Sequence, residues 1–172
     1  GTNTPNRIPA LLGQATTLQQ MADYATAIPI FQEAIQQMQS PTKQRYSLLP
    51  DAYNNLGNCF FQQSNFTQAR QYYQAAITAY GSSPNTSRQR ASTRFNLGNC
   101  YQQEGNYTTA LDYYEQALAQ SAGTDLYFKI QSARAATLLQ KGDLSNAQKL
   151  LENQFDSLQQ STSIPRPGWI DL

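Results

Sequence analysis

Two stretches of this chain are copies of one another. Residues 52–77 read AYNNLGNCFFQQSNFTQARQYYQAAI, and residues 93–118 read TRFNLGNCYQQEGNYTTALDYYEQAL. They align without a gap at an offset of 41 and share the block Asn-Leu-Gly-Asn-Cys at 55–59 and 96–100. Each also carries a Gln-Gln pair (62–63 and 102–103, one residue out of register), and they share an Asn-aromatic-Thr turn, a Tyr-Tyr pair and two alanines (Ala69 and Ala76, Ala110 and Ala117). A weaker copy, DYATAIPIFQEAI at 23–35, precedes them at an offset of 42, and another, GDLSNAQKLLENQF at 142–155, follows at an offset of 37. Self-similarity of this period marks stacked supersecondary units, and it constrains the fold more than any local propensity does. End units face solvent on one side, so degenerate outer copies are expected.

Each copy has the pattern of an antiparallel helix pair. In 52–63 the apolar residues recur at Tyr53, Leu56, Cys59 and Phe60, and the next segment repeats the spacing with Phe66, Ala69, Tyr73, Ala76 and Ile77. Short polar turns separate the two halves (Ser64-Asn65, Gly105-Asn106, Gly142-Asp143), suited to a positive-φ residue closing one helix and a cap opening the next. Gly57 and Gly98 fall in mid-helix, where glycine costs about 1 kcal/mol relative to alanine, so a close approach by the partner helix is expected there. The pattern predicts eight helices, near 8–21, 24–39, 43–63, 66–80, 87–104, 107–121, 125–141 and 144–159. Pro50 leaves open whether 43–49 is continuous with 50–63. The fold class expected is all-α: a right-handed α-solenoid of about four antiparallel hairpins, near 8–39, 43–80, 87–121 and 125–159. Residues 1–7 are expected to be a leader or a remnant of trimming. Residues 161–172, STSIPRPGWIDL, are expected to be a Pro-rich tail or linker.

Composition narrows the chemistry. The chain has no histidine, which removes Ser-His and Cys-His nucleophile pairs and every His-ligated metal centre. Two cysteines alone do not complete a structural zinc site, and no Gly-rich phosphate loop or carboxylate cluster is present. An enzyme, a cofactor and a metal are therefore not expected. The net charge of +1 gives no electrostatic mandate for nucleic acid or an acidic membrane. No run of about 18 apolar residues exists to span a bilayer, and no secretory signal opens the chain. A soluble domain is expected, and an anchor or export segment outside this chain stays open. Charged residues make up only 13%, and 24 glutamines spread along the chain take their place. Such an amide-rich surface fits a non-cytosolic compartment or a habit of lineage equally well.

The pattern aromatic-x-x-Leu-Gly-x-x-aromatic, followed by Ala, aromatic and Ala in the second helix, resembles the tetratricopeptide repeat. The likeness is strongest in the two central copies and, with the outer ones, covers about 8–160; the units exceed the usual spacing of roughly 34 residues, with extra length at 40–49 and 81–91. The resemblance implies that first helices line a concave face that binds peptide. Its residues here would be Thr16, Gln19 and Gln20, then Asn54, Asn58, Phe61 and Gln62, then Phe95, Asn99, Gln102 and Gln103, and last Lys129, Ser132 and Ala136. Asn58 and Asn99 stand out, because an amide offers an acceptor and two donors to a peptide backbone. Members that grip a C-terminal carboxylate place cations on these rows. Here the rows hold Leu12, Asn54 and Phe95, and Thr16, Asn58 and Asn99, so a low-charge partner is expected.

The function expected is a protein–protein interaction scaffold or adaptor that holds an extended or short helical segment of a partner, in complex assembly. The alternatives are a self-association module, joined through the end hairpins or the tail, and a regulatory array of a larger protein. Bacterial proteins with Gln-rich repeats of this kind are similar in style. Lesser features have simpler readings. Cys59 and Cys100 are read as small buried hydrophobes, with a disulfide as the alternative. Arg88, Arg90 and Arg94, with Lys43 and Arg45, are read as solvated helix edges rather than a phosphate or nucleic-acid site. One tyrosine of each Tyr-Tyr pair is assigned to a hairpin core. Asn-x-Ser/Thr triplets at Asn65, Asn85 and Asn106 are read as chance. Trp169 is expected either to dock the tail on the last hairpin or to lie in a linker.

Overall fold

The computed structural model describes residues 7–39 and 47–162. Eight α-helices follow one another: α1 Arg7–Gln20, α2 Tyr24–Met38, α3 Leu49–Gln62, α4 Phe66–Tyr80, α5 Ser87–Gln103, α6 Tyr107–Leu118, α7 Asp125–Lys141 and α8 Leu144–Thr162. A 3-10 turn, Pro84–Thr86, leads into α5. No strand occurs among the described residues. The helices pair as four antiparallel hairpins stacked into a right-handed solenoid. Each helix packs on its neighbours in the chain. The first helices also touch one another, α1 with α3, α3 with α5 and α5 with α7. No comparable contact joins α2 to α4 or α4 to α6, so the first helices form the tighter, inner row.

Three boundaries differ from expectation. The third helix starts at Leu49 rather than 43, because Pro50 occupies its first turn, where a missing N–H is harmless. The sixth ends at Leu118 rather than 121, giving way to turns that run to Gly123. The eighth runs on to Thr162, past the expected start of the tail. The 1–6 portion of the leader, residues 40–46 with Lys43 and Arg45, and residues 163–172 with Trp169 lie outside the described residues.

The hairpin turns repeat one piece of chemistry. Ala22, Ser64, Gly105 and Gly142 each take positive φ (61°, 58°, 76° and 83°), and the next residue caps the following helix. Asp23, Asn65, Asn106 and Asp143 accept from the backbone N–H of Thr26, Gln68, Thr109 and Asn146 at 3.2–3.3 Å. These caps satisfy donors that a helix start leaves unpaired. The same turn at all four places is why the hairpins are alike even where the sequence has drifted. Asp143 gains from its cap in a second way: the bonds from Asn146 hold its carboxyl below the ordinary carboxylate value.

Within the central hairpins one contact sets the spacing. Tyr73 and Tyr114 are fully buried, and each ring lies across the glycine of the preceding helix. A Cβ on Gly57 would stand 2.7 Å from two ring carbons of Tyr73, and one on Gly98 would stand 2.6 Å from Cε1 of Tyr114. The close approach expected at these glycines is therefore made by a tyrosine ring, backed by the Ala69 and Ala110 carbonyls at 3.3 and 3.2 Å. The other tyrosine of each pair stacks on an aromatic of the first helix: Tyr72 on Phe60 with centroids 5.5 Å apart, and Tyr113 on Tyr101 at 5.4 Å. Tyr113 also packs against a cluster shared by the two repeats, Ala69 and Tyr73 of α4 with Leu97 and Cys100 of α5. Leu56, Leu97, Cys59 and Cys100 fill the interior, and both thiols are free. Burial pushes them up from 9.0 to about 11 for Cys59 and about 12 for Cys100.

The glycine contact is open to direct test. Gly98→Ala should destabilise the fold by about 1–3 kcal/mol through overpacking, although alanine is the better helix former. Gly13→Ala in α1, where nothing lies within 4 Å of the added carbon, should instead stabilise by up to about 1 kcal/mol. Urea unfolding measures both, and equal effects would remove the tyrosine contact as the cause. The thiols supply a second expectation. A folded pKa raised above the unfolded 9.0 means stability is fully present below pH 9.0 and declines as pH rises toward about 11–12. Both cysteines should resist a thiolate-selective reagent at pH 8 in the native protein and react in urea.

Candidate functional site

The inner face is built from α3 and α5, whose shared block places an asparagine one residue after each glycine. That position points the amide at the tyrosine seated on the glycine. Asn58 Oδ1 accepts the Tyr73 hydroxyl at 2.8 Å, and Asn99 Oδ1 accepts the Tyr114 hydroxyl at 2.7 Å. Burial pushes Tyr73 upward and Tyr114 to about 12, so both phenols stay protonated as donors at neutral pH. With each carbonyl oxygen occupied, Nδ2 of Asn58 and of Asn99 has no hydrogen-bond partner among the described residues. Each amide is thereby fixed in one orientation with its donor free.

A polar seam joins the two repeats beside these amides. Asn96 Nδ2 donates to Asn58 Oδ1 at 3.2 Å and reaches Asn54 Oδ1 at 3.5 Å, and the Thr93 hydroxyl donates to Asn54 Oδ1 at 3.1 Å. On the other side, Gln19 Nε2 of α1 donates to the Asn55 carbonyl at 3.1 Å. Together these groups border a hollow of about 380 Å³ lined by Gln19, Tyr24, Asn58, Phe61, Gln62, Tyr73, Asn96 and Asn99. No charged side chain lines it. Its chemistry is neutral hydrogen bonding beside aromatic surface, without a general base or nucleophile pair. Among the described residues no group of three or more His, Cys, Asp or Glu could hold a metal ion.

Of the residues expected to meet a ligand, the hollow gathers Gln19, Asn58, Phe61, Gln62 and Asn99. The others lie outside its lining. Asn54 is engaged in the seam, and Phe95 leans on the Tyr114 ring at 5.7 Å. Gln102 shares the Tyr114 hydroxyl at 3.0 Å and donates to Gln140 Oε1 at 3.1 Å. Thr16 donates back to the Leu12 carbonyl at 2.7 Å, and Gln20, Gln103, Lys129, Ser132 and Ala136 are exposed elsewhere on the first helices. Tyr24 and Asn96 belong to the hollow but were not expected there. Asn96 sits in the repeated block, so its signal was available: it is the asparagine two residues before the glycine, on the side facing the preceding unit. Tyr24 comes from α2, where a rule that counts only first helices misses it.

A larger hollow of about 720 Å³ runs along α4, lined by Tyr53, Arg70, Gln71, Gln74, Tyr101, Tyr113 and smaller residues. Arg70 is already committed there, paired with Glu104 and held 5.1 Å above the Tyr101 ring.

Comparison with known proteins returns one family and one fold. Residues 48–121, the two central hairpins, match the tetratricopeptide repeat. Solved structures resemble the whole array. A protein of Podosopora anserina, described as a kinesin light chain with nearly identical TPR-like repeats, is 18% identical with a TM-score of 0.74, over 94% of this chain and 79% of its own. MamA is 19% identical with a TM-score of 0.73, over 93% and 83%. BtubC (BKLC) from P. vanneervenii is 21% identical with a TM-score of 0.72, over 86% and 62%. At these identities the likeness is one of fold. A search of curated proteins found no match. Among the described residues no helix is long and apolar enough to cross a membrane. Residues 48–121 belong to the tetratricopeptide repeat family, and the solenoid built around them is a tetratricopeptide-repeat fold.

Proposed function

We propose that this array is a non-enzymatic scaffold that holds a low-charge peptide segment of a partner protein against the inner face of α3 and α5, serving the assembly of a complex. The repeat generally mediates protein–protein interaction, and its family is generally non-enzymatic. The observation that carries the finer reading is the pair of oriented amides. Asn58 and Asn99 each give their oxygen to a buried tyrosine and keep Nδ2 free beside an uncharged hollow. Two donors on successive repeats can take two backbone carbonyls of one extended segment without reading its side chains, each bond contributing about 0.5–1.5 kcal/mol net. Phe61 offers apolar surface at the edge. The neutral lining favours a partner segment without charges, since a charge placed there would lose hydration without gaining a counter-ion.

A second reading has its own observation. The last hairpin exposes Leu139, Leu144 and Leu151 at 50%, 65% and 47%, a leucine face on the final helix pair of the kind that another unit covers in a repeat array. Self-association through this end predicts a concentration-dependent oligomer that Leu144→Lys/Leu151→Lys dissolves.

The groove reading is tested with Asn58→Asp/Asn99→Asp. Aspartate keeps the acceptor for the tyrosine hydroxyl and replaces the free donor with an oxygen. Affinity capture from the native extract should therefore lose a partner retained by the wild type, with the melting temperature little changed. Peptides of that partner should then bind the wild type at least about tenfold more tightly than the variant, the weight of one to two hydrogen bonds. Equal binding by the two forms would put the interaction elsewhere on the molecule.

A further inference from the structure

Helix α5 carries arginines at 90 and 94, one turn apart, and both border a hollow of about 390 Å³ together with Ile77, Gly81, Ser82 and Gln120. The sequence suggests a solvated edge here, and the structure corrects this for two of the three arginines. Arg88 is exposed, but Arg90 is buried at 9% exposure. Its Nη1 donates to the Gly81 carbonyl at 2.9 Å, the Ser83 carbonyl at 2.7 Å and the Thr86 hydroxyl at 2.8 Å, fastening the 81–86 connection to α5. Arg94 is half-buried and donates through Nη1 to Gln120 Oε1 at 3.1 Å.

None of these acceptors is a carboxylate. The ion pairs among the described residues use Arg7, Arg70 and Arg134, so neither Arg90 nor Arg94 has a counter-charge among them. Nε and Nη2 of both arginines make no hydrogen bond among the described residues, yet they are not sealed from solvent. The buried unpaired side-chain atoms are Arg134 Nε and Gln154 Nε2 only among those residues. The spare donors therefore keep contact with solvent, and both side chains line the hollow. Like charges one turn apart repel, and Arg94 is held below its ordinary value first by burial and then by the charge of Arg90.

We propose that this hollow is a binding site for a phosphate-type dianion. Guanidinium groups present forked donors that match an oxyanion bidentately. Two fixed positive charges call for more than a carboxylate's single charge, and a phosphate monoester carries about −1.5 to −2 at neutral pH. Arg90 is already immobilised by its three bonds to the connection, so it meets the anion prearranged. The Ser82 hydroxyl and Gln120 Nε2 stand at the same hollow as further donors. The site shares no lining residue with the amide hollow and does not depend on the peptide reading.

The test is titration of inorganic phosphate into 15N-labelled protein at constant ionic strength, following the Gly81 and Ser82 amides and the Arg94 Nε–Hε resonance. Saturable shifts are expected, with acetate binding more weakly. Arg94→Gln should weaken phosphate at least about tenfold, and Arg94→Lys, which keeps the charge without the fork, should fall between. The proposal is overturned if the wild type shows no saturable shift, if acetate binds as well as phosphate, or if a natively folded Arg94→Gln binds like the wild type. Should Arg94→Gln fail to fold, the wild-type contrast between phosphate and acetate decides alone. A phosphoserine peptide that binds more tightly than inorganic phosphate places the anion on a partner chain, and one that binds no better leaves free phosphate as the ligand.

Discussion

The contact on which the rest depends is a tyrosine ring seated against a glycine. In each central hairpin the second helix comes so close to the first that no Cβ fits between Tyr73 and Gly57 or between Tyr114 and Gly98. Glycine in mid-helix is unfavourable by itself, and the burial of a whole tyrosine offsets it. Hydrophobic contact alone would place the ring but not turn it. Orientation comes from the hydroxyl, which must find a partner when buried and finds Asn58 or Asn99. Packing and polarity are thus satisfied by one side chain, and the asparagine at the surface inherits a fixed geometry from the core.

That inheritance is what links fold to function. A surface amide free to rotate loses entropy on binding, and one already tied by its oxygen loses less. The seam through Asn96, Asn54 and Thr93 ties the two repeats together beside the amides, so the spacing between the two donors is set by the stack rather than by loop conformation. The hairpins pack on one another through neighbouring cores, as a quasi-one-dimensional array requires. Charge has little part in this. Three ion pairs occur among the described residues, all at partly or fully exposed side chains, where such pairs contribute about 0–1 kcal/mol.

Much of this is legible in the sequence, and for physical reasons. The repeat exposes the hairpin boundaries because every unit needs the same positive-φ turn and the same cap, and those residue types are few. Gly57 and Gly98 announce a close approach because nothing else makes glycine tolerable there. What stays hidden involves partners that no periodicity reveals. Asn58 and Asn99 read as ligand residues, yet half of each amide serves the tyrosine behind it. Arg90 reads as part of a wet edge, although it is the clamp on the 81–86 connection, because a carbonyl cluster in a loop leaves no mark on composition. The inner rows extend evenly over all four repeats in the sequence, whereas the hollow gathers residues of the first three hairpins only. The end of α6 at Leu118 is also unmarked in the sequence, since no glycine follows until Gly123.

The central claim is that tyrosine and asparagine act as one unit. A double-mutant cycle measures it directly: Tyr114→Phe, Asn99→Ala and the two combined, each followed by urea unfolding. A buried hydrogen bond of this kind should give a coupling of about 0.5–1.5 kcal/mol, so that the double variant loses less than the sum of the singles. Strictly additive losses would contradict the account, leaving the ring held by packing alone and the Asn99 amide free to turn.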